Sequence, residues 1–266
     1  MSKVSPVLTV AADGDVRIVT LNRPDRLNGV SEELHRRLSE VWHELADDTK
    51  ARAVVLTGAG RAFSAGGDFD HLLRHHTDPE LRERSIRLDR TIQTEMIRFP
   101  LPVIAAVNGP AVGLGCSLAL ACDLVLISED AYFADPHISV GLVAGDGGVT
   151  LWPMLTSLLR VKEYLFTGDR IPAPKAVELG LANRTVPPDD LIREALALAH
   201  RLAAQPAEAL RATKLALAAV VEQVSRGGME AALMAERATM TSPDHIRIIT
   251  ELAARAERRA NPPEER

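Results

Sequence analysis

Residues 101–127 are apolar over a length that would span a bilayer, yet Pro102, Asn108, Gly109, Pro110, Gly113, Gly115 and Asp123 cut the run into short pieces. A membrane helix needs about 20 largely uninterrupted residues, and no Lys or Arg cluster flanks this run to orient one. The pieces read instead as a strand at 103–107, a glycine-bearing turn, a short helix and a strand at 124–127. Buried strands that alternate with helices and end in glycine turns define an α/β protein whose chemistry sits in loops at strand ends. At 266 residues the chain can bury a substantial core without disulfides or metals.

The flanking sequence extends the pattern. Residues 7–10 and 16–21 form a hairpin around Asp13 and Gly14. Ser31 caps a helix whose Leu34, Leu38, Val41, Trp42 and Leu45 share one face. Residues 53–56 are a buried strand ended by Gly58, and Asp78 with Pro79 opens a polar helix. Beyond Pro187 strand signals vanish, and 191–202, 207–221 and 243–256 read as helices with a break at Gly227 and Gly228. Their Ala/Leu-rich faces exceed what a helical hairpin buries, so the tail packs on the core or on a sister subunit.

The formal charge of −5 offers no surplus to neutralise phosphates, which argues against duplex nucleic acid as a partner. Cys116 and Cys122 fit neither a zinc spacing nor a disulfide framework and read as core thiols. Residues 1–6 lack the basic patch and apolar run of a signal peptide, so a cytoplasmic location is expected.

Two loops carry candidate chemistry. Residues 61–69 follow a buried strand and contain Ala65, Gly66, Gly67 and Asp68; residues 108–117 follow another and lead into a helix. Glycines let backbone N–H groups approach a bound oxygen, and amides at a helix start sit where the dipole is positive. Two such loops at adjacent strand ends present two N–H donors to one carbonyl oxygen, the arrangement that stabilises an enolate or tetrahedral oxyanion.

On Asn22-Arg23-Pro24, Ala65-Gly66-Gly67-Asp68, Asn108 to Gly113, Gly147-Gly148, Thr167-Gly168 and the 176–181 segment, the sequence resembles the enoyl-CoA hydratase/isomerase (crotonase) family over nearly its whole length. The resemblance implies a spiral of ββα units over residues 1–190 and a helical oligomerisation region over 191–266 that builds trimers, often paired into hexamers. It also implies oxyanion amides at Ala65 and Leu114, and a coenzyme A site lined by Arg26, Leu27, Asn28, Gly66, Gly67 and Asp68. The implied substrate is an acyl-CoA, with coenzyme A entering as part of it, and neither a separate cofactor nor a metal is expected.

A third constellation departs from the family. The two glutamates that share the water in its hydratases fall on Ser117 and His137, so both carboxylates are absent. A hydroxyl has no useful basicity near neutral pH, and Ser117 is expected only to position a water or substrate oxygen. His137 and Asp146 are the expected substitute: if the Gly145 turn folds back, the carboxylate orients the ring and His137 draws a proton from water. This pair resembles the β-diketone C–C hydrolases of the superfamily, although the histidine those enzymes carry in the second loop is Leu114 here. The opposing reading leaves His137 as a hydrogen-bonding residue of a wall and makes Asp146 a cap for the helix after Gly148.

Other readings carry less weight. Ser64 lacks the first glycine and following helix of a nucleophile elbow, and Gly113-Leu114-Gly115 lacks the third glycine of a dinucleotide fingerprint. His71, His75 and His76 lack confirming metal ligands and read as a solvated loop near a pocket mouth. The expectation is an acyl-CoA enzyme, most simply one adding water to a 2-enoyl-CoA in fatty-acid or related catabolism. C–C hydrolysis and non-catalytic acyl-CoA binding stay open, because the same carbonyl grip serves all three.

Overall fold

The computed structural model describes residues 6–260, so most of the N-terminal stretch read for a targeting signal lies outside the described residues. The hairpin is β1 (Leu8–Asp13) and β2 (Val16–Leu21); α1 (Glu32–Ala46) and β3 (Ala53–Gly58) follow. Next come α2 (Phe69–Arg74), α3 (Pro79–Arg98), β4 (Val103–Val107), β5 (Ala111–Val112), α4 (Leu114–Leu120), β6 (Leu124–Ser128) and β7 (Tyr132–Ala134). A 3-10 turn at His137–Val140 precedes α5 (Gly148–Leu155), α6 (Leu158–Thr167), β8 (Ile171–Pro172), α7 (Ala173–Glu178) and β9 (Arg184–Val186). The chain ends in α8 (Leu191–Ala203), α9 (Ala207–Thr239) and α10 (Pro243–Ala260).

Six strands form one sheet in the order β1-β2-β3-β4-β6-β9, parallel except for the β1–β2 pair, and β5, β7 and β8 form a small second sheet. Strand β3 reads as an unbroken apolar run because both its faces are buried. Val54 and Leu56 pack with Trp42, Ile92 and Met96 on one side, while Ala53 and Val55 meet Leu191, Ala195 and Ala199 of α8 on the other. The 101–127 run divides as its breakers require, and no helix among the described residues is long and apolar enough to cross a membrane. Cys116 is a buried free thiol in the core, and Cys122 is a half-buried one.

The tail finds its partner within the chain: α8 covers the back of the sheet, α9 packs on α3 and α5, and α10 returns to α2 and the 3-10 turn. The expected break at Gly227 and Gly228 is overturned, since α9 runs continuously through both. Each glycine costs a helix ~1 kcal/mol against alanine, and packing along α3 and α5 outweighs that penalty. The expected solvated histidine loop is also overturned: His71 lies in α2, His75 in the turn after it, and both are buried. Docking of α10 on this segment removes it from water.

Candidate active site

The two glycine loops are joined backbone to backbone. The Ser64 N–H bonds the Pro110 carbonyl at 3.1 Å and the Val112 N–H bonds the Ser64 carbonyl at 2.9 Å. Gly66 (φ +82°) and Gly113 (φ +53°) both need the left-handed region, and a Cβ on Gly66 would lie 2.8 Å from the Val112 carbonyl oxygen and 3.8 Å from the Gly113 Cα. That contact brings the residues that follow them, Gly67 and Leu114, into the wall of one cavity of about 450 Å³.

The expected donor at Ala65 is corrected. Its N–H bonds the Leu27 carbonyl at 2.9 Å, because Leu27 and Asn28, both at positive φ, turn their backbone toward this segment. Gly67 differs. Its neighbours make the ladder bonds to Val30, Val30 N–H to the Gly66 carbonyl and Asp68 N–H to the Val30 carbonyl, so the Gly67 N–H faces the other way. Leu114 is the first residue of α4, where an N–H has no intrahelical partner. Among the described residues neither amide takes part in a hydrogen bond.

His137 stands beside this loop, its Cε1 3.3 Å from where a Cβ on Gly113 would lie. Strand β7 ends at Ala134 and Pro136 turns the chain, so Asp135 and His137 fold against each other with His137 Nδ1 and Asp135 Oδ1 2.5 Å apart. On the cavity side His137 Nε2 lies 3.3 Å from Asp146 Oδ2. The contact expected between His137 and Asp146 is therefore present, and Asp135 is a closer partner that the sequence reading passed over. Asp146 does not cap α5: the cap position belongs to Gly147, and no side chain bonds there. Ser117 is buried behind the site and donates to Asp146 Oδ1 at 3.0 Å, so its hydroxyl is directed at that carboxylate and it is absent from the cavity wall. Gly147 (φ +146°) makes this approach feasible, since a Cβ there would sit 2.7 Å from Ser117 Oγ.

Burial alone would discharge His137, but the carboxylates of Asp135 and Asp146 outweigh it and hold its pKa well above the ordinary histidine value. At neutral pH the ring is an imidazolium. Asp135, His137 and Asp146 each offer a ligand atom within 4.8 Å of one another.

The inner wall of the cavity was not anticipated. His35 Nε2 pairs with Asp89 Oδ1 at 2.7 Å, Ser85 Oγ lies 2.9 Å from His75 Nε2 and 3.4 Å from His71 Nε2, and the Glu236 carboxyl enters from α9. Burial lowers His71 to about 4 and His75 to about 3, and both are neutral at pH 7. Burial raises the Asp89 and Glu236 carboxyls, Glu236 well above its ordinary value. A periodicity signal existed: Ser85, Asp89 and Gln93 fall at helical spacing on the face of α3 that carries Leu81, Ile92 and Met96, as Glu236 does with Ala232 of α9 and Met240 at its C-terminal cap.

The residues expected to line a coenzyme A site divide in two. Arg26 is exposed, Leu27 is half-buried, and Gly66 and Gly67 line the cavity. Asn28 and Asp68 hold the loops: Asn28 Nδ2 donates to the carbonyls of Ala59 and Ala62, and Asp68 accepts from Arg23 Nη2 at 2.9 Å and caps α2. Ser64 is fully buried and donates to the Asn28 carbonyl, which suits no nucleophile.

Comparison with known proteins agrees with this architecture. The enoyl-CoA hydratase/isomerase family model matches residues 12–263. A crystal structure of an enoyl-CoA hydratase/isomerase from Mycobacterium paratuberculosis is 49% identical, covers 94% of this chain and 99% of its own, and superposes with a TM-score of 0.90. One from Xanthobacter autotrophicus is 32% identical at a TM-score of 0.87, covering 96% and 95%. A short-chain-enoyl-CoA hydratase from Clostridium acetobutylicum is 34% identical over 206 residues, 77% of this chain and 78% of that protein. On the family match and the shared fold, the chain belongs to the enoyl-CoA hydratase/isomerase family.

Proposed function

We propose that the chain adds water to a 2-enoyl-CoA, with the amides of Gly67 and Leu114 holding the thioester carbonyl oxygen. Asp146 takes a proton from water as the hydroxide bonds to the β-carbon, and the displaced π electrons move to the carbonyl oxygen as an enolate. The enolate collapses when the α-carbon takes a proton from the His137 imidazolium, and the proton on Asp146 passes to His137, restoring both groups. His137 thus serves as acid and charge partner, because a ring already protonated cannot be the base. Ser117 fixes the Asp146 carboxylate, and Asp135 fixes the ring. No cofactor is needed beyond the coenzyme A of the substrate, which lies along the 26–28 turn, where Arg26 offers a cation, and the Gly66–Gly67 loop.

The observation that carries this reading is a histidine set between two carboxylates in the wall of the same cavity as two amides that have no hydrogen-bond partner among the described residues. Incubation with crotonyl-CoA tests it: the conjugated-thioester absorbance should decay with formation of 3-hydroxybutyryl-CoA. No decay, together with cleavage of a cyclic β-diketone, would transfer the same groups to C–C hydrolysis, a reading the His137–Asp146 contact also favours.

We also infer self-association. Leu158, Leu159 and Phe166 on α6 and Leu217, Val220 and Val224 on α9 are exposed apolar side chains of the kind subunit contacts cover. Light scattering should give a mass of three or six chains, and Phe166→Asp should lower it; a monomeric native protein would refute the inference.

A further inference from the structure

The inner wall of the cavity has a chemistry that the proposed reaction leaves unused. His71, His75, Ser85 and Glu236 are at least nine-tenths buried and all line the cavity. Three of their polar atoms, His71 Nδ1, His75 Nδ1 and Glu236 Oε2, have no hydrogen-bond partner among the described residues. Polar atoms buried without partners are rare in folded proteins, and a cluster of them beside an open cavity marks a place where a ligand supplies the partners.

The donor and acceptor pattern narrows the ligand. Ser85 has one proton and sits between two imidazoles, so the arrangement that uses it has Ser85 donating to one ring and accepting from the other. One Nδ1 is then left as a donor and the other as an acceptor, the complement of a hydroxyl or, through the donor alone, a ketone. Among the described residues no Lys or Arg lines the cavity, and its acidic side chains disfavour an anionic acyl group. Leu142, Met240, Ile248 and Leu252 also line the cavity and suit hydrocarbon.

We propose that the natural acyl group is mainly hydrocarbon but carries a neutral oxygen function, a hydroxyl or ketone, beyond the reacting carbons, and that His71, His75, Ser85 and Glu236 read it. This rests on the acyl-CoA reading above, in which the reacting carbons lie between the two amides and His137. A plain alkyl chain in this position would cover the polar wall and bond to none of it.

Binding of two unreactive thioesters, hexanoyl-CoA and 6-hydroxyhexanoyl-CoA, measured by calorimetry separates the possibilities without relying on turnover. The hydroxylated thioester should bind roughly tenfold more tightly, the effect of one or two buried hydrogen bonds. Ser85→Ala should bring the ratio of the two affinities close to one, whereas a merely structural change would weaken both alike and leave the ratio intact. Equal binding of the two thioesters by the native protein, or an unchanged ratio in Ser85→Ala, overturns the proposal while the hydration reading stands. Should Ser85→Ala not fold, the native ratio alone decides. Failure of either thioester to bind would instead overturn the acyl-CoA reading, and this proposal with it.

Discussion

His71, His75 and His137 line one cavity and differ in charge. Burial works against the imidazolium at each, yet His137 is held protonated while His71 and His75 stay neutral. The difference lies in the partners: His137 stands between Asp135 and Asp146, whereas His75 faces Ser85 and other histidines. Burial therefore does not decide a histidine's role. The neighbour's charge does, and one cavity thereby holds a charged reacting end and an uncharged binding end.

The largest test of this contrast removes one carboxylate from the reacting end. Asp146→Asn keeps an oxygen for Ser117 but loses the base, and turnover should fall about 10²- to 10⁴-fold in a steady-state assay. Wild-type turnover would exclude Asp146 from the chemistry.

A second test uses pH. His71 and His75 have folded values near 4 and 3, below the unfolded value of 6.5, so the unfolded chain binds protons first as pH falls. Their stability contribution is full above pH 6.5 and is lost as pH falls toward those values, on the order of a few kcal/mol. His137 has the opposite sign: raised in the folded state, it contributes fully below 6.5 and loses that contribution as pH rises through its folded value. Melting temperatures of the native protein and His75→Gln between pH 6.5 and 4.5 should show a flatter acid limb in the variant. Parallel curves would mean that His75 is not held neutral.

The smallest expected effect concerns the helix that brings Glu236 to the binding end. Nothing lies within 4 Å of a Cβ built on Gly228, so Gly228→Ala should stabilise α9 by roughly 0.5–1 kcal/mol and raise the melting temperature by about 2 °C. A lower melting temperature would indicate that the helix needs the freedom of this glycine.

The strands and the glycine loops were legible because their signals are local: β-branched runs, Ser31, Asp78 with Pro79, and glycines after strands. His137 and Asp146 were legible as chemistry in the wrong place for a family pattern, while Asp135 was overlooked two residues away. The Ala65 assignment failed for a different reason. Which amide of a loop faces a cavity depends on the strand pairing on its other side, and Leu27 supplies that pairing from 38 positions earlier in the chain.

The sequence by itself determined the α/β class, the two loops that meet, the helical tail and the departure from a two-glutamate site, because each is written in residues close together along the chain. Tertiary structure alone decided that Gly67 rather than Ala65 leaves its amide open, that His137 carries a charge, and that α1, α2, α3 and α9 converge on a polar pocket end. Those outcomes depend on distances between segments far apart in sequence, and both electrostatics and hydrogen bonding change sharply over such distances.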